Sequence, residues 1–302
     1  MTWTLVAATL AASVAAGTSL LYAALGETLG ERAGIINLGV EGVMLVGAAC
    51  ACAVASSTGS PYLGMLAGAV AGVVASAPFA YAVVDRAANQ LASGLSLLFL
   101  GFGASALIGN PFVGALIPPL PSVSLRMPLG EGAAAVRVDF LVAAALPLAG
   151  LVAWLLMGTR WGLRLRAVGE NPVAAFAAGC NRRRLQYEAL AIAGMLSGLA
   201  GAHVALGVAY TWAEFMTGGR GFIAIALVMF ARWNAWWAVA GALLFGAAEA
   251  AQLQLQAGGV DVSPFLMNMA PYLLTLALLP FTGKAGRLAA PAALGRPYRG
   301  VE

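Results

Sequence analysis

Long apolar runs separated by short polar joints organise the chain, and most of the runs have the length of a bilayer. They fall at 4–25, 38–57, 62–83, 91–110, 139–158, 189–211, 235–253 and 264–281, with a shorter one at 220–232. A helix needs about twenty apolar residues to cross the hydrocarbon core. Lipid offers backbone N–H and C=O groups no partners, so each run is expected to be a helix that satisfies its own. Ten-residue segments of alternating polarity, the mark of a membrane barrel, are missing. The expected fold is all-α. It is one polytopic membrane bundle over 1–283, of about eight to ten segments with short or re-entrant helices counted, and a short cytoplasmic tail over 284–302. The first run lacks a basic leader and exceeds the apolar core of a cleavable signal, so it reads as the first membrane helix.

The polar joints set the orientation. Of sixteen Lys and Arg residues, six lie between Arg160 and Arg184 and four between Lys284 and Arg299. Such clusters mark cytoplasmic loops. Both can be cytoplasmic only if an even number of crossings separates them, and three spans do not supply that. Parity is restored if Gly218-Gly219-Arg220-Gly221 and Arg232-Trp233-Asn234 bracket a separate short or re-entrant helix, as tolerated beside a protein-enclosed cavity. Residues 111–138 and the N-terminus then lie outside, and Asp85 to Gln90 inside. Glycines at 64, 68 and 72, at 26, 30 and 34, and at 194 and 198 recur every four residues. That spacing reads as close helix packing.

Composition narrows the function classes. The 302 residues are 61% hydrophobic and 9% charged, with a mean hydropathy of +0.88, whereas a soluble domain carries about 25% charged residues. Three cysteines and one histidine do not make a disulfide framework or a His-based metal centre. The cysteines read as small packing residues. A nucleic-acid partner has no fold to support it. A Ser-His-Asp reading would use His203 inside the membrane with no carboxylate beside it. The phosphate-loop pattern is missing too, since Gly283-Lys284 lacks the upstream glycine and the following Ser or Thr. The chain is expected to be non-catalytic and to bind no cofactor.

Several polar residues inside the runs are candidates for a solute pathway. Glu41 follows Asn37 by four residues, on one face if both are helical; they either line the pathway or brace a helix break between Gly34 and Gly42. His203 is a packing residue or a donor and acceptor for a base or ribose. Asn89, Gln90 and Ser93 offer neutral amides and a hydroxyl at the start of the fourth run, and Phe102, with Phe222 and Phe230, offers a π-face or core packing. Glu249 pairs with Arg232 or lies near the boundary, and Trp233, Trp236 and Trp237 read as an interfacial belt. Glu41 and Glu249 alone stand out as buried acids. In the basic joint, Asn171 is a good N-cap, Pro172 fits the first helical position and Gly179 the stop. They predict a helix over about 172–178 that presents Val173 and Phe176, marginal alone in water and so held by something.

Five stretches carry a resemblance: GERAGIINLGVEGVMLVGA (30–48), ANQLASGLSLLFLGFG (88–103), GLRLRAVGENPVAAFAAG (162–179), AGMLSGLAGAHVAL (193–206) and GGRGFIAIALVMFARWNAWWAVAGALLFG (218–246). In this order they resemble the permease subunits of ABC importers of the branched-chain amino acid, ribose and nucleoside group, most of all the shorter permease of nucleoside uptake systems. The alanine-rich, low-charge tail departs from that pattern.

The resemblance implies a multi-pass subunit of the bacterial inner membrane. Its partners would be a second homologous permease (different or identical), an extracellular or periplasmic binding protein and a cytoplasmic ATPase that carries ATP and Mg. Within 159–188 the implied coupling residues are Gly169, Glu170, Asn171, Pro172, Phe176 and Gly179, with Arg182 and Arg183 beside them. Riboflavin, a simple sugar or a branched-chain amino acid are the alternative substrates. A stand-alone secondary transporter or a membrane scaffold are the alternatives outside the family.

Overall fold

The structure, a computed structural model, describes residues 3–127, 134–257 and 290–297 and positions 269 and 273. Ten helices follow one another among them: α1 (Trp3–Arg32), α2 (Val40–Thr58), α3 (Pro61–Ala80), α4 (Gln90–Gly109), α5 (Phe140–Gly158), α6 (Arg160–Glu170), α7 (Pro172–Ala177), α8 (Arg182–His203), α9 (Arg220–Phe230) and α10 (Ala235–Ala257). Helices α3 and α8 continue into π-helical turns, Tyr81–Asp85 and Val204–Ala209. Helix makes up 76% of the described residues, as expected for a helical membrane bundle. Six of the helices, α1 to α5 and α8, are long and apolar enough to cross a membrane, and α9 is a shorter apolar helix. Of the run at 264–281 only positions 269 and 273 are described, both helical.

Most helix starts are written locally. The side chains of Ser60, Asn89, Asp139, Thr159, Asn171 and Asn181 accept the first free N–H groups of α3 to α8 in turn, as capping residues do. Packing then depends on small residues. Helix α8 lies against α1, α2 and α3. A Cβ on Gly47 would come within 2.6 Å of Gly198, and one on Gly68 within 3.0 Å of the Gly47 carbonyl oxygen. Gly201 has the Met44 carbonyl oxygen directly in front of it. In lipid, where apolar surface gains little by leaving solvent, such backbone contact holds helices together.

The two ends of the bundle differ in charge. At one end Gln186 donates to the Ala33 carbonyl at 3.0 Å, Arg183 pairs with Asp85 at 3.0 Å, Arg32 donates to the Trp233 carbonyl at 3.3 Å, and the Ala293 N–H reaches the Gly169 carbonyl at 2.9 Å. This end gathers the arginines of 160–184 together with Arg32, Arg232 and Arg296, the charge pattern expected at a cytoplasmic face, with the opposite end then the outer one. At the other end the Ile117 and Leu120 N–H groups donate to the Tyr210 and Leu206 carbonyls. Helix α9 is separate and short, and it returns the chain from the interior to Trp233 at the basic end. The described tail segment 290–297 sits at that end as well.

Three expectations change, and one element was not foreseen: β1 (Ser122–Met127) pairs antiparallel with β2 (Ala134–Asp139), Ser122 opposite Asp139. The first helix runs seven residues past its apolar run, because Glu27, Glu31 and Arg32 are buried among other helices and not in lipid. The basic joint is mostly helical, with α6 amphipathic and the first turns of α8 starting at Arg182. Trp233 is buried, its indole N–H donating to Glu31 at 2.6 Å, so only Trp236 and Trp237 remain exposed for an interfacial belt.

Gly201→Val is expected to force α2 from α8 and to cost about 1–3 kcal/mol, the usual range for overpacking. Gly103, with nothing within 4 Å of its Cβ position, should accept alanine freely. Thermal unfolding in detergent, followed by size-exclusion chromatography, should show a lowered midpoint for the first variant only.

Candidate functional site

Helix α9 begins where its own sequence offers no cap. Gly219, its N-cap, has φ +82° and no side chain to receive the first N–H groups. The buried carboxylate of Glu41 receives them from α2. Its Oε1 accepts from the Gly219 N–H at 2.7 Å and the Thr217 hydroxyl at 2.6 Å, and its Oε2 from the Gly221 N–H at 2.6 Å. A negative charge there also meets the positive end of the helix dipole. Arg220, in the same turn, pairs with Glu249 of α10. Glu249 therefore has Arg220, not Arg232, as its partner.

The depth of this junction follows from its neighbours. Gly42 lies against Leu97 and Leu98 of α4, about 12 Å along that helix from Gln90 at 1.5 Å per residue. The first turn of α9 thus lies within the hydrocarbon depth. Residues 210–219 descend to it from the outer end as turns and bends. In that stretch Phe215 is 59% exposed and holds φ +55°. Its ring meets Phe102 edge-on at 5.0 Å, and Phe102 meets Phe99 edge-on at 6.1 Å. The neighbouring Glu214 is exposed. Irregular backbone with an exposed carboxylate is not tolerated against lipid tails. This face fronts water or another protein.

Other residues of the expected pathway sit elsewhere. Asn37 is not on a helix with Glu41; it lies in the α1–α2 linker, where its Oδ1 accepts from the Gly39 N–H at 2.9 Å. Gln90 is buried and clamps that linker, accepting from the Ile36 N–H at 2.9 Å and donating to the Gly34 carbonyl at 3.2 Å. Asn89 caps α4, and Ser93 is half-buried one turn on. His203 is fully buried at the outer end, its Nε2 3.4 Å from Asp139 Oδ2, so a carboxylate does stand beside it; β2 delivers one from far along the chain. Asn37 and Gln90 meet on the α1–α2 linker, Glu41 stands deeper at the head of α9, Phe102 stands on the open face, and His203 is apart.

Sequence reasoning missed Glu27, Glu31, Glu214 and Phe215. The first two are buried one helical turn apart, a spacing visible in GETLGER. Nothing local marks Glu214 or Phe215 except the Gly218-Gly219 pair that follows.

At the basic end α7 has the expected form. Asn171 accepts from the Ala174 N–H at 3.0 Å and Gly179 stops the helix at φ +78°. Val173 and Phe176 are 63% and 48% exposed. A groove of about 380 Å³ lined by Phe176, Gly179 and Arg183 flanks it on one side, and one of about 310 Å³ lined by Glu170, Pro172 and Arg296 on the other. Two expected docking residues face inward instead. Arg182 is buried and donates to Gln186 at 2.8 Å and to the Val84 carbonyl at 3.4 Å. Gly169 packs against the backbone at Arg32 and Gly34.

The profile of the family described as branched-chain amino acid transport system / permease component matches residues 9–279. TsgC13 of Haloferax volcanii, to which the role of a glucose ABC transporter permease is attributed, is 36% identical over 95% of this chain and 96% of its own. The guanosine ABC transporter permease protein NupQ of Bacillus subtilis is 33% identical over 92% of each chain. The nucleoside ABC transporter permease protein NupC of Lactococcus lactis is 31% identical over 93% of each. No solved structure matches. With the profile covering nearly the whole membrane region and relatives above 30% identity along both full lengths, the chain belongs to this permease family, the multi-pass plasma-membrane subunits of ABC transporters.

Proposed function

We propose that this permease imports nucleosides, forming half of a pore completed by a second homologous permease. The observation that carries the substrate is the exposed phenylalanine face at membrane depth. Phe215 and Phe102 offer π-surfaces on which a base can stack, a contact worth about 1–3 kcal/mol per base, and Glu214 beside them can accept from ribose hydroxyls or a base N–H. The guanosine and nucleoside relatives support the same substrate class. A sugar is the second reading, favoured by the Haloferax relative.

In this mechanism an external binding protein delivers the solute, and a cytoplasmic ATPase, carrying ATP and Mg, docks on Val173 and Phe176 of α7. Helix α9 is the movable half-helix between the two permeases, and Glu41 is its latch.

Two measurements test this on the permease reconstituted with its ATPase and binding protein. Phe215→Ala should lower nucleoside uptake about tenfold, the factor set by one lost stack, and leave glucose uptake unchanged. Loss of glucose uptake with nucleoside uptake intact would reverse the two readings. Glu41→Gln should cost roughly 2 kcal/mol of stability, because charged acceptance becomes neutral for three donors. It should also abolish most ATP-dependent uptake; a wild-type rate and unfolding midpoint would remove Glu41 as the latch.

A further inference from the structure

The α6–α7 turn does not meet the membrane helices alone. Residues 290–297 pack against it where it meets the α1–α2 linker. The Ala293 N–H donates to the Gly169 carbonyl at 2.9 Å, and the Ala292 N–H to Glu170 Oε2 at 3.3 Å. Pro291 is buried and Leu294 packs against the main core. On the linker side, a Cβ placed on Gly34 would lie 3.5 Å from the Gly169 Cα and 3.6 Å from the Ala293 Cβ. Three segments distant in sequence thus meet on backbone atoms at Gly34, Gly169 and Ala293.

What lies on each side gives the meeting point its meaning. Toward the cytosol, α7 is a six-residue helix, too short to hold its shape unaided; its exposed Val173 and Phe176 need a rigid base to transmit a push. Toward the interior, the linker runs from Gly34 to Glu41, whose carboxylate holds the first turn of α9. Gln90 and Gln186 grip the linker through side-chain amides, so motion at Gly34 is not dissipated in a loose loop. Arg296 is exposed and lines the same groove as Asn171 and Pro172, adding a cation to a surface already rich in arginine.

We propose that the segment 290–297 is a working part of the coupling apparatus: it clamps the α6–α7 turn to the α1–α2 linker so that they move as one body, and through Arg296 it extends the surface on which the ATPase docks. The proposal rests on the importer reading above and adds to it a positioning role for Ala293 and a contact role for Arg296. The partner surface that fits is acidic around an apolar pocket for Phe176, and it belongs to the ATPase subunit.

The test uses the complete transporter in proteoliposomes, with uptake and ATP hydrolysis measured together. Ala293→Pro removes the N–H that reaches Gly169. It should lower the solute moved per ATP hydrolysed about fivefold, the factor that corresponds to one ordinary hydrogen bond, while the ATPase stays bound. Arg296→Glu, at an exposed position, should weaken retention of the ATPase about fivefold, the upper end for an exposed ion pair, and Arg296→Lys should restore it. Unchanged coupling in Ala293→Pro together with unchanged retention in Arg296→Glu overturns the clamp. If the wild-type complex itself shows no ATP-driven uptake, the importer reading fails instead, so the two failures are separable.

Discussion

One carboxylate inside the membrane region holds the start of a helix that cannot start itself. Glu41 accepts two backbone N–H groups and a hydroxyl at the head of α9. Left unpaired at that depth, those donors would each carry a desolvation penalty of about 1–3 kcal/mol. Much of the neighbouring geometry follows from placing that group. Helix α2 has to begin well inside the basic end, so the chain after α1 folds back at Gly34 with φ +86° and climbs as a linker held by Gln90 and Gln186. Gly42 and Gly221 lack side chains where α2 meets α4 and α9, which lets the carboxylate reach the donors directly.

Around that junction the bundle divides into a tight part and an open part. Helices α1, α2, α3 and α8 touch through glycine and alanine, backbone against backbone, and such seams have few alternative packings. Helices α4 and α5 leave most of their length uncovered within the subunit, as surfaces that meet lipid or a neighbouring chain do. Helix α9 and the turns before it stand at the edge between the two parts. Strained backbone at Phe215, Tyr210, Arg232 and Trp233 clusters on either side of this short helix, where the chain enters and leaves it.

The chemistry of the two ends is equally unlike. The basic end carries most of the described arginines, the capped α7 and the tail segment 290–297, joined by hydrogen bonds that link α1, α4, α6 and α8. The outer end carries the hairpin, and with it Asp139, which caps α5 through the Leu141 and Val142 N–H groups and lies beside His203. Asp139 and His203 form a buried pair there, and the segment with Ile117 and Leu120 folds onto the turns that continue α8.

Much of this was legible in the chain alone. The helical bundle follows from apolar run length, because lipid forces every backbone group to be satisfied within the helix. The basic end follows from arginine clustering, and α7 from Asn171, Pro172 and Gly179, all local signals acting within one or two turns. The separate identity of α9 followed from parity and paired glycines. What lay beyond reach is everything set by residues distant in sequence: that Glu41 caps α9, that Asp139 stands beside His203, that Arg182 and Gln90 turn inward as clamps, and that the tail reaches Gly169. Those are decided by which helices pack side by side, and side-chain burial and partners depend on that packing, which no local pattern encodes.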